Sequence, residues 1–373
     1  MSRLQRRDLM GRVRSLVVKL GSNVLADERG RLDATRIAAI AGQVVALKDR
    51  GLRVAVVSSG AIAAGLGLLG LERRPDALPA LQACASVGQS QLMMMFDEAL
   101  RAHGRHAAQI LLVRGDVEDR TRYLNIRNCI AALQGYGAVP VINENDTVSV
   151  DEIRFGENDV LAAMVTNLLR ADLLVLLTTV EGVFRDKARQ DRFDVVTDMA
   201  EVMAAADGSR SSLGTGGMPT KLEAARMVVA AGEMAAIANG RRDAVLTDLL
   251  AGEPVGTLFV PKAAKMDSRS RWIGLTRRAR GRIQVDAGAA KAVRARKSLL
   301  ASGITGVEGT FARGDVVAVV DPDGRTVAQG LANYAADDVR RIQGLRSSQF
   351  AKVLGQRTYD EVIHANNLVL LGV

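Results

Sequence analysis

Apolar residues along the first 260 or so positions alternate between two patterns. Residues 14–25 (RSLVVKLGSNVL) form a nearly continuous apolar run ending on a Gly turn, the pattern of a buried strand. Asp33 then stands at a helix-capping position. Ile37, Ile40, Val44, Val45 and Leu47 fall on one face of the helix it opens, and Gly51 ends it. A β-branched strand follows (LRVAVVSSG) and runs into a second Gly turn. The alternation predicts a helix over 89–103, a strand over 107–113 and a helix near 121–135. It goes on with a strand over 138–143, a helix over 158–170 and a strand over 171–177. Strands that read as unbroken apolar runs between helices predict an α/β fold whose mostly parallel sheet is covered on both faces. Ligands of such sheets bind at the carboxyl ends of the strands.

After about residue 262 the texture changes. Short β-like runs (RIQVDAG, DVVAVVD, TVAQGLA), punctuated by Gly and Asp-Gly, predict a small separate β-rich domain. The expected organisation is an α/β domain over 1–261, a basic linker over 262–279 and the β-rich domain over 280–373. A chain of 373 residues, 48% of them hydrophobic, has ample material for two cores.

Charge sharpens the boundary. Between Lys262 and Leu300 twelve Lys/Arg face only Asp267 and Asp286, a surplus of ten against +9 for the whole chain, so the remainder is near neutral. Such a run is either a solvated, mobile connection or a surface for an anionic partner such as RNA. No apolar run reaches the length of a membrane span, and the basic N-terminus lacks a signal-peptide core. Cys84 and Cys129, the two cysteines, exclude a disulfide framework and lack metal-ligand spacing, so a cytoplasmic location is expected.

Four polar clusters follow strand ends. Lys19-Leu20-Gly21-Ser22 puts a lysine at the end of a buried strand, next to a glycine whose backbone can approach phosphate. Ser58-Ser59-Gly60-Ala61 leads small donors into a helix. Asn143-Glu144-Asn145-Asp146 pairs with Glu157-Asn158-Asp159 across a short excursion. Gly214-Thr215-Gly216-Gly217-Met218-Pro219-Thr220-Lys221 is a Gly-rich loop entering a helix, with Pro219 in its first turn and a lysine behind it. Singly, each has an ordinary reading as turn, cap or surface lysine. Their force lies in falling on one edge of one sheet. No P-loop and no G-x-G-x-x-G after the first strand are present, which disfavours a dinucleotide oxidoreductase. His103, His106 and His364 lie outside every cluster, so the chemistry needs no imidazole base.

In this order and spacing VVKLGSNVL, VSSGAIAAGLGLLG, QACASVGQSQLM, VPVINENDTV, GENDVLAA, LLTTVEGVF and GTGGMPTKLEAA closely resemble the glutamate 5-kinases of the amino acid kinase family. The match runs from about Arg14 to Phe259, and the tail resembles the PUA domain appended to many bacterial members. The resemblance implies a three-layer α/β/α sandwich and phosphorylation of the L-glutamate side-chain carboxylate, the first step of proline biosynthesis. It implies ATP as phosphoryl donor, with Mg²⁺ carried by ATP and no metal site of the protein's own. A homodimer or homotetramer also belongs to it; RNA is left open as a partner of the tail, and no membrane contact is expected from the absence of a long apolar run. Lys19 and Lys221 match the lysines that hold the transferring group, and Asp159 the carboxylate that fixes both. Ser59, Asn143, Asp146 and Asn158 match the glutamate-binding positions, with Asp146 toward the α-ammonium and Asn158 donating to the carboxylate. Gly21, Thr178, Thr179, Thr215, Gly216, Gly217, Met218, Pro219 and Thr220 join the two lysines as ATP contacts. The chain departs from the family at Thr179, where an Asp is usual, and at Glu157, where an Asp is frequent. Two alternatives stay open: another acyl-phosphate or nucleotide kinase of this fold, and an RNA-binding PUA protein with a degenerate kinase body.

Overall fold

The computed structural model describes residues 3–27, 30–149, 158–186, 188, 190–207, 217–262, 264–276, 279–356 and 358–371. Two compact units divide the chain, Met1–Lys265 and Met266–Val373.

The first unit is built on an eight-stranded sheet. Its strands are β1 (Ser15–Leu20), β2 (Arg53–Ser58), β3 (Ala107–Leu112), β4 (Val139–Glu144), β5 (Leu173–Thr178), β6 (Val195–Val196), β7 (Met234–Asn239) and β8 (Thr257–Phe259). They lie in the order β3-β4-β2-β1-β5-β7-β8-β6, all neighbours parallel except β7 and β8. Every residue of β1 and β4 is buried, as a sheet covered on both faces requires.

Five helices matter for the site: α1 (Ala34–Asp49), α2 (Ala61–Leu68), α3 (Leu78–Arg101), α4 (Asn158–Leu169) and α5 (Met218–Ala230). Helices α1 and α3 pack together, as do α4 and α5. The Asp33 side chain caps α1 by accepting from the amides of Thr35 and Arg36, and Ile37, Ile40, Val44, Val45 and Leu47 are its buried face, as the periodicity predicts.

Two elements differ from the sequence reading. The run 14–25 is a strand only to Leu20; Gly21 then opens a one-turn helix, Ser22–Leu25. The helix expected from 89 begins at Leu78. Gly88, just before the expected start, lies inside α3 where α2 crosses. A Cβ on Gly88 would stand 1.8 Å from the Ala61 carbonyl oxygen, and one on Gly65 of α2 1.8 Å from that of Cys84. The two helices meet backbone to backbone, which only glycine permits.

The second unit holds a five-stranded sheet of β9 (Gly281–Val285), β10 (Ile304–Gly309), β11 (Val316–Val320), β12 (Thr326–Leu331) and β13 (Leu368–Leu370), in the order β10-β9-β11-β12-β13. The stretch 262–279, set apart by charge as a connection, divides between the units. Lys265 closes the first by pairing with Asp172 at 2.8 Å and with the buried Glu233 at 2.9 Å. Ser268–Arg271 and Trp272–Thr276 are helical, and the Arg271 and Trp272 side chains are buried. Further along the basic run, Arg280 pairs with Asp315 and Arg294 with Asp321, so part of its charge is spent inside the unit.

Candidate active site

The carboxyl ends of β4, β2, β1 and β5 lie side by side and bring the predicted clusters to one edge. Lys19 is the penultimate residue of β1, where a side chain alternates into the helix-covered face rather than into solvent. Asp159 stands in the first turn of α4, and Lys221 in the first turn of α5, which begins with Pro219 near its start. The three charges meet. Lys19 Nζ is 2.7 Å from Asp159 Oδ1 and Lys221 Nζ 3.1 Å from Asp159 Oδ2. Thr220 Oγ1 donates to Oδ2 of the same carboxylate at 3.0 Å. Asp159 is completely buried, with Lys19 and Lys221 at 4% and 6% exposure.

Burial alone would raise the Asp159 carboxyl, but the two ammonium groups outweigh it and hold the group below the usual carboxylate range. Burial lowers the Lys19 ammonium, with Asp159 opposing and Lys221 adding to the shift. Two cations share one carboxylate here, so the cluster carries a net positive charge in a dry setting. Such a site attracts an anion and strengthens its interaction with it.

Beside it runs a chain of amides. Asn158, the first residue of α4, donates through Nδ2 to the Ser58 carbonyl at 3.0 Å, to Ser59 Oγ at 2.9 Å and to Asn143 Oδ1 at 3.0 Å. Asn143 Oδ1 also accepts from the Glu144 amide at 2.9 Å, while its Nδ2 donates to Gln89 Oε1 at 2.8 Å. Gly60, at φ 109°, turns the chain from β2 into α2 and leaves Ser59 half-buried beside Asn158. Asp146 is half-buried in the turn after β4.

The predicted nucleotide residues fall in two places. Gly21 follows β1, with its amide donating to the Leu177 carbonyl at 3.3 Å. Thr178 ends β5 in register with Asn239 of β7, and Thr179 beyond it is exposed. Gly217, Met218, Pro219 and Thr220 lie at the N-terminus of α5. Thr215, Gly216 and Glu157 are outside the described residues.

Three neighbours escaped the sequence reading as site residues. Gln89 anchors Asn143 from α3. Ser149 Oγ donates to the buried Glu144 carboxylate at 2.6 Å, and Gln82 of α3 holds the Ser149 carbonyl at 3.2 Å. The signal for Gln89 and Gln82 was their place in the QACASVGQSQLM segment.

The chain matches the amino acid kinase family over residues 14–239 and the PUA domain over residues 281–354. It is 44% identical to the glutamate 5-kinase of Syntrophotalea carbinolica across 98% of this chain and 99% of that protein. Identity is 45% to the glutamate 5-kinase of Geobacter sp. (strain M21), covering 98% and 100%, and 43% to that of Pelobacter propionicus, with the same coverage. These matches, over a fold and a buried charge cluster of the kind described, show that the chain belongs to the amino acid kinase family.

Proposed function

We propose that this kinase transfers the γ-phosphoryl group of ATP to the side-chain carboxylate of free L-glutamate, forming L-glutamyl 5-phosphate for proline biosynthesis. The observation that carries the reading is the pair of buried lysines held by Asp159 at the sheet edge. The names of relatives that align along nearly the whole chain support it.

The nucleophile is a carboxylate, ionised at neutral pH because its pKa is about 4.3, so no general base is required. The difficulty is electrostatic, since an anion must approach a triphosphate. Catalysis then rests on positioning and on fixed positive charge aimed at the transferring group. In this reading Lys19 and Lys221 hold that group, and Asp159 fixes both ammonium ions while leaving one net charge. Ser59, Asn143, Asp146 and Asn158 form the glutamate side, with Asp146 meeting the α-ammonium. Gly21, Thr178, Thr179 and the segment from Thr215 to Lys221 form the ATP side. Magnesium ion, carried by ATP, neutralises part of the triphosphate charge when bound.

The test is a coupled trap: glutamate, ATP and Mg²⁺ with hydroxylamine, which captures an acyl phosphate. Product is expected from glutamate and roughly 5- to 150-fold less from N-acetylglutamate, whose acetylated nitrogen leaves Asp146 without its cation, a loss of roughly 1–3 kcal/mol. Equal turnover of the two would refute the assignment.

A further inference from the structure

The amide chain behind Asn158 has a direction, and the direction is set by backbone groups that can play only one part. The Glu144 N–H can only donate, so the Asn143 atom facing it at 2.9 Å is the carbonyl oxygen, and the Asn143 NH₂ must point to Gln89 Oε1. The Ser58 carbonyl can only accept, so the Asn158 atom facing it is the NH₂. The same NH₂ meets Ser59 Oγ, which must therefore accept. A serine hydroxyl that accepts keeps its own hydrogen for another partner, and among the described residues none takes it. Ser59 is half-buried, and its hydrogen is left as a donor.

Gln89 stands at the other end of this chain. It is the acceptor that allows the Asn143 NH₂ to face away from Asn158. Among the described residues its own Nε2 is buried without a partner, as is Asn158 Oδ1, and reversing either amide would turn its NH₂ away from an acceptor or toward another donor. Without Gln89 the Asn143 NH₂ is left unpaired in a buried setting; the Glu144 N–H still forbids reversal of the amide, so Asn143 can find a new acceptor only by shifting, which draws its Oδ1 from Asn158 and loosens the hold of Asn158 on Ser59. We propose that Gln89 is a positioning residue for the acceptor substrate: by anchoring Asn143, and through it Asn158, it holds in place the serine Ser59 that the backbone groups have set as a hydrogen-bond donor toward a substrate carboxylate. This rests on the function proposed above and adds to it the polarity with which the site reads glutamate. It also reverses the part first expected of Asn158, whose NH₂ is spent on the protein rather than on the substrate.

The experiment uses the full-length chain and the hydroxylamine assay, varying glutamate at saturating Mg-ATP and then ATP at saturating glutamate. Gln89→Met, similar in length but unable to accept, should raise the KM for glutamate about tenfold or more and leave the KM for ATP within about twofold. A defect of folding alone lowers the active fraction and leaves both KM values where they were. Because Gln89 acts through Ser59, adding Gln89→Met to Ser59→Ala should change the glutamate KM by less than about twofold; additive effects overturn the proposal. Gln89→Glu keeps the accepting oxygen and should hold the glutamate KM within about threefold. If Gln89→Met does not fold, a tenfold rise in folded Gln89→Glu overturns the proposal, and parent-like KM supports it. A parent enzyme that makes no hydroxamate from glutamate refutes the function itself, whereas an active parent with an unchanged Gln89→Met refutes only this role.

Discussion

Replacing Asp159 by Asn removes one charge and almost no volume, and the cluster it leaves is informative about cost. Two ammonium groups, 4% and 6% exposed, lose their shared counter-ion, while an amide oxygen stays in place to accept one hydrogen bond. Breaking a buried ion pair from one side costs about 3–5 kcal/mol. The structure supplies an independent ceiling. Lys19 is already depressed by burial with the carboxylate present, so without it the cheaper course is to shed a proton. Deprotonating a lysine of ordinary pKa 10.4 at pH 7 costs about 4.6 kcal/mol, at 1.36 kcal/mol per pH unit. A destabilisation of about 3 kcal/mol up to the ceiling of about 4.6 kcal/mol is therefore expected at pH 7. By pH 9 the ceiling falls to about 1.9 kcal/mol. The sign follows from proton counting: the folded variant holds fewer protons on Lys19 than the unfolded chain, so its stability rises with pH until the unfolded lysine also titrates. The assay is urea unfolding followed by far-UV circular dichroism at both pH values, with kcat measured on the folded fraction. Losing the fixed geometry of the two lysines should lower kcat by about 10²–10³-fold. A loss below about 1 kcal/mol at pH 7, or one that does not shrink at pH 9, would refute the idea that Asp159 balances two buried cations.

Two further outcomes follow from neighbouring features. Glu181 Oε1 accepts from Asn239 Nδ2 at 2.6 Å, which places a carboxylate at the β7 strand end although Thr179 carries none. Both Thr179→Asp, which adds repulsion toward the triphosphate, and Glu181→Ala should then raise the KM for ATP severalfold; a fall in Thr179→Asp would show that the acid is missed at 179. A chain ending after Lys265 should fold and keep its kinase activity, whereas one ending after Pro261 loses the lysine beside Asp172 and Glu233 and should be less stable by about 1–3 kcal/mol. Thermal melts and the hydroxamate assay on both truncations check this, and a folded but inactive 1–265 chain would show that the tail is needed.

Periodicity made the first unit legible. The face of α1 and its Asp33 cap are local facts, carried by residues within one helix. The start of α3 was not, because Gly88 is tolerated for a reason that lies in α2, some twenty-five residues earlier. The pattern put Lys19, Asp159 and Lys221 at element boundaries on one sheet edge, and it was the family resemblance that joined them into one triad. Gln89 carried only the weaker signal of lying within a matched segment. An amide in the middle of a helix looks like surface, and its partner Asn143 is fifty-four positions away. The charge excess of the basic run predicted a solvated connection or a surface for an anionic partner, yet Arg271 within it has no exposed surface at all.

Trp272 is the one tryptophan in the sequence, and it is buried in the second unit. The chain thus carries a built-in optical label on the half that contains none of the predicted ATP or glutamate contacts. Its emission during denaturation reports the melting of the PUA-bearing unit while circular dichroism follows the whole, so the two transitions can be separated without any introduced dye. Titrating ATP or glutamate into the same cuvette asks a different question. A tryptophan signal that follows ligand is a direct reading of free energy passed from one unit to the other; a signal that stays flat means that each unit keeps its own equilibrium.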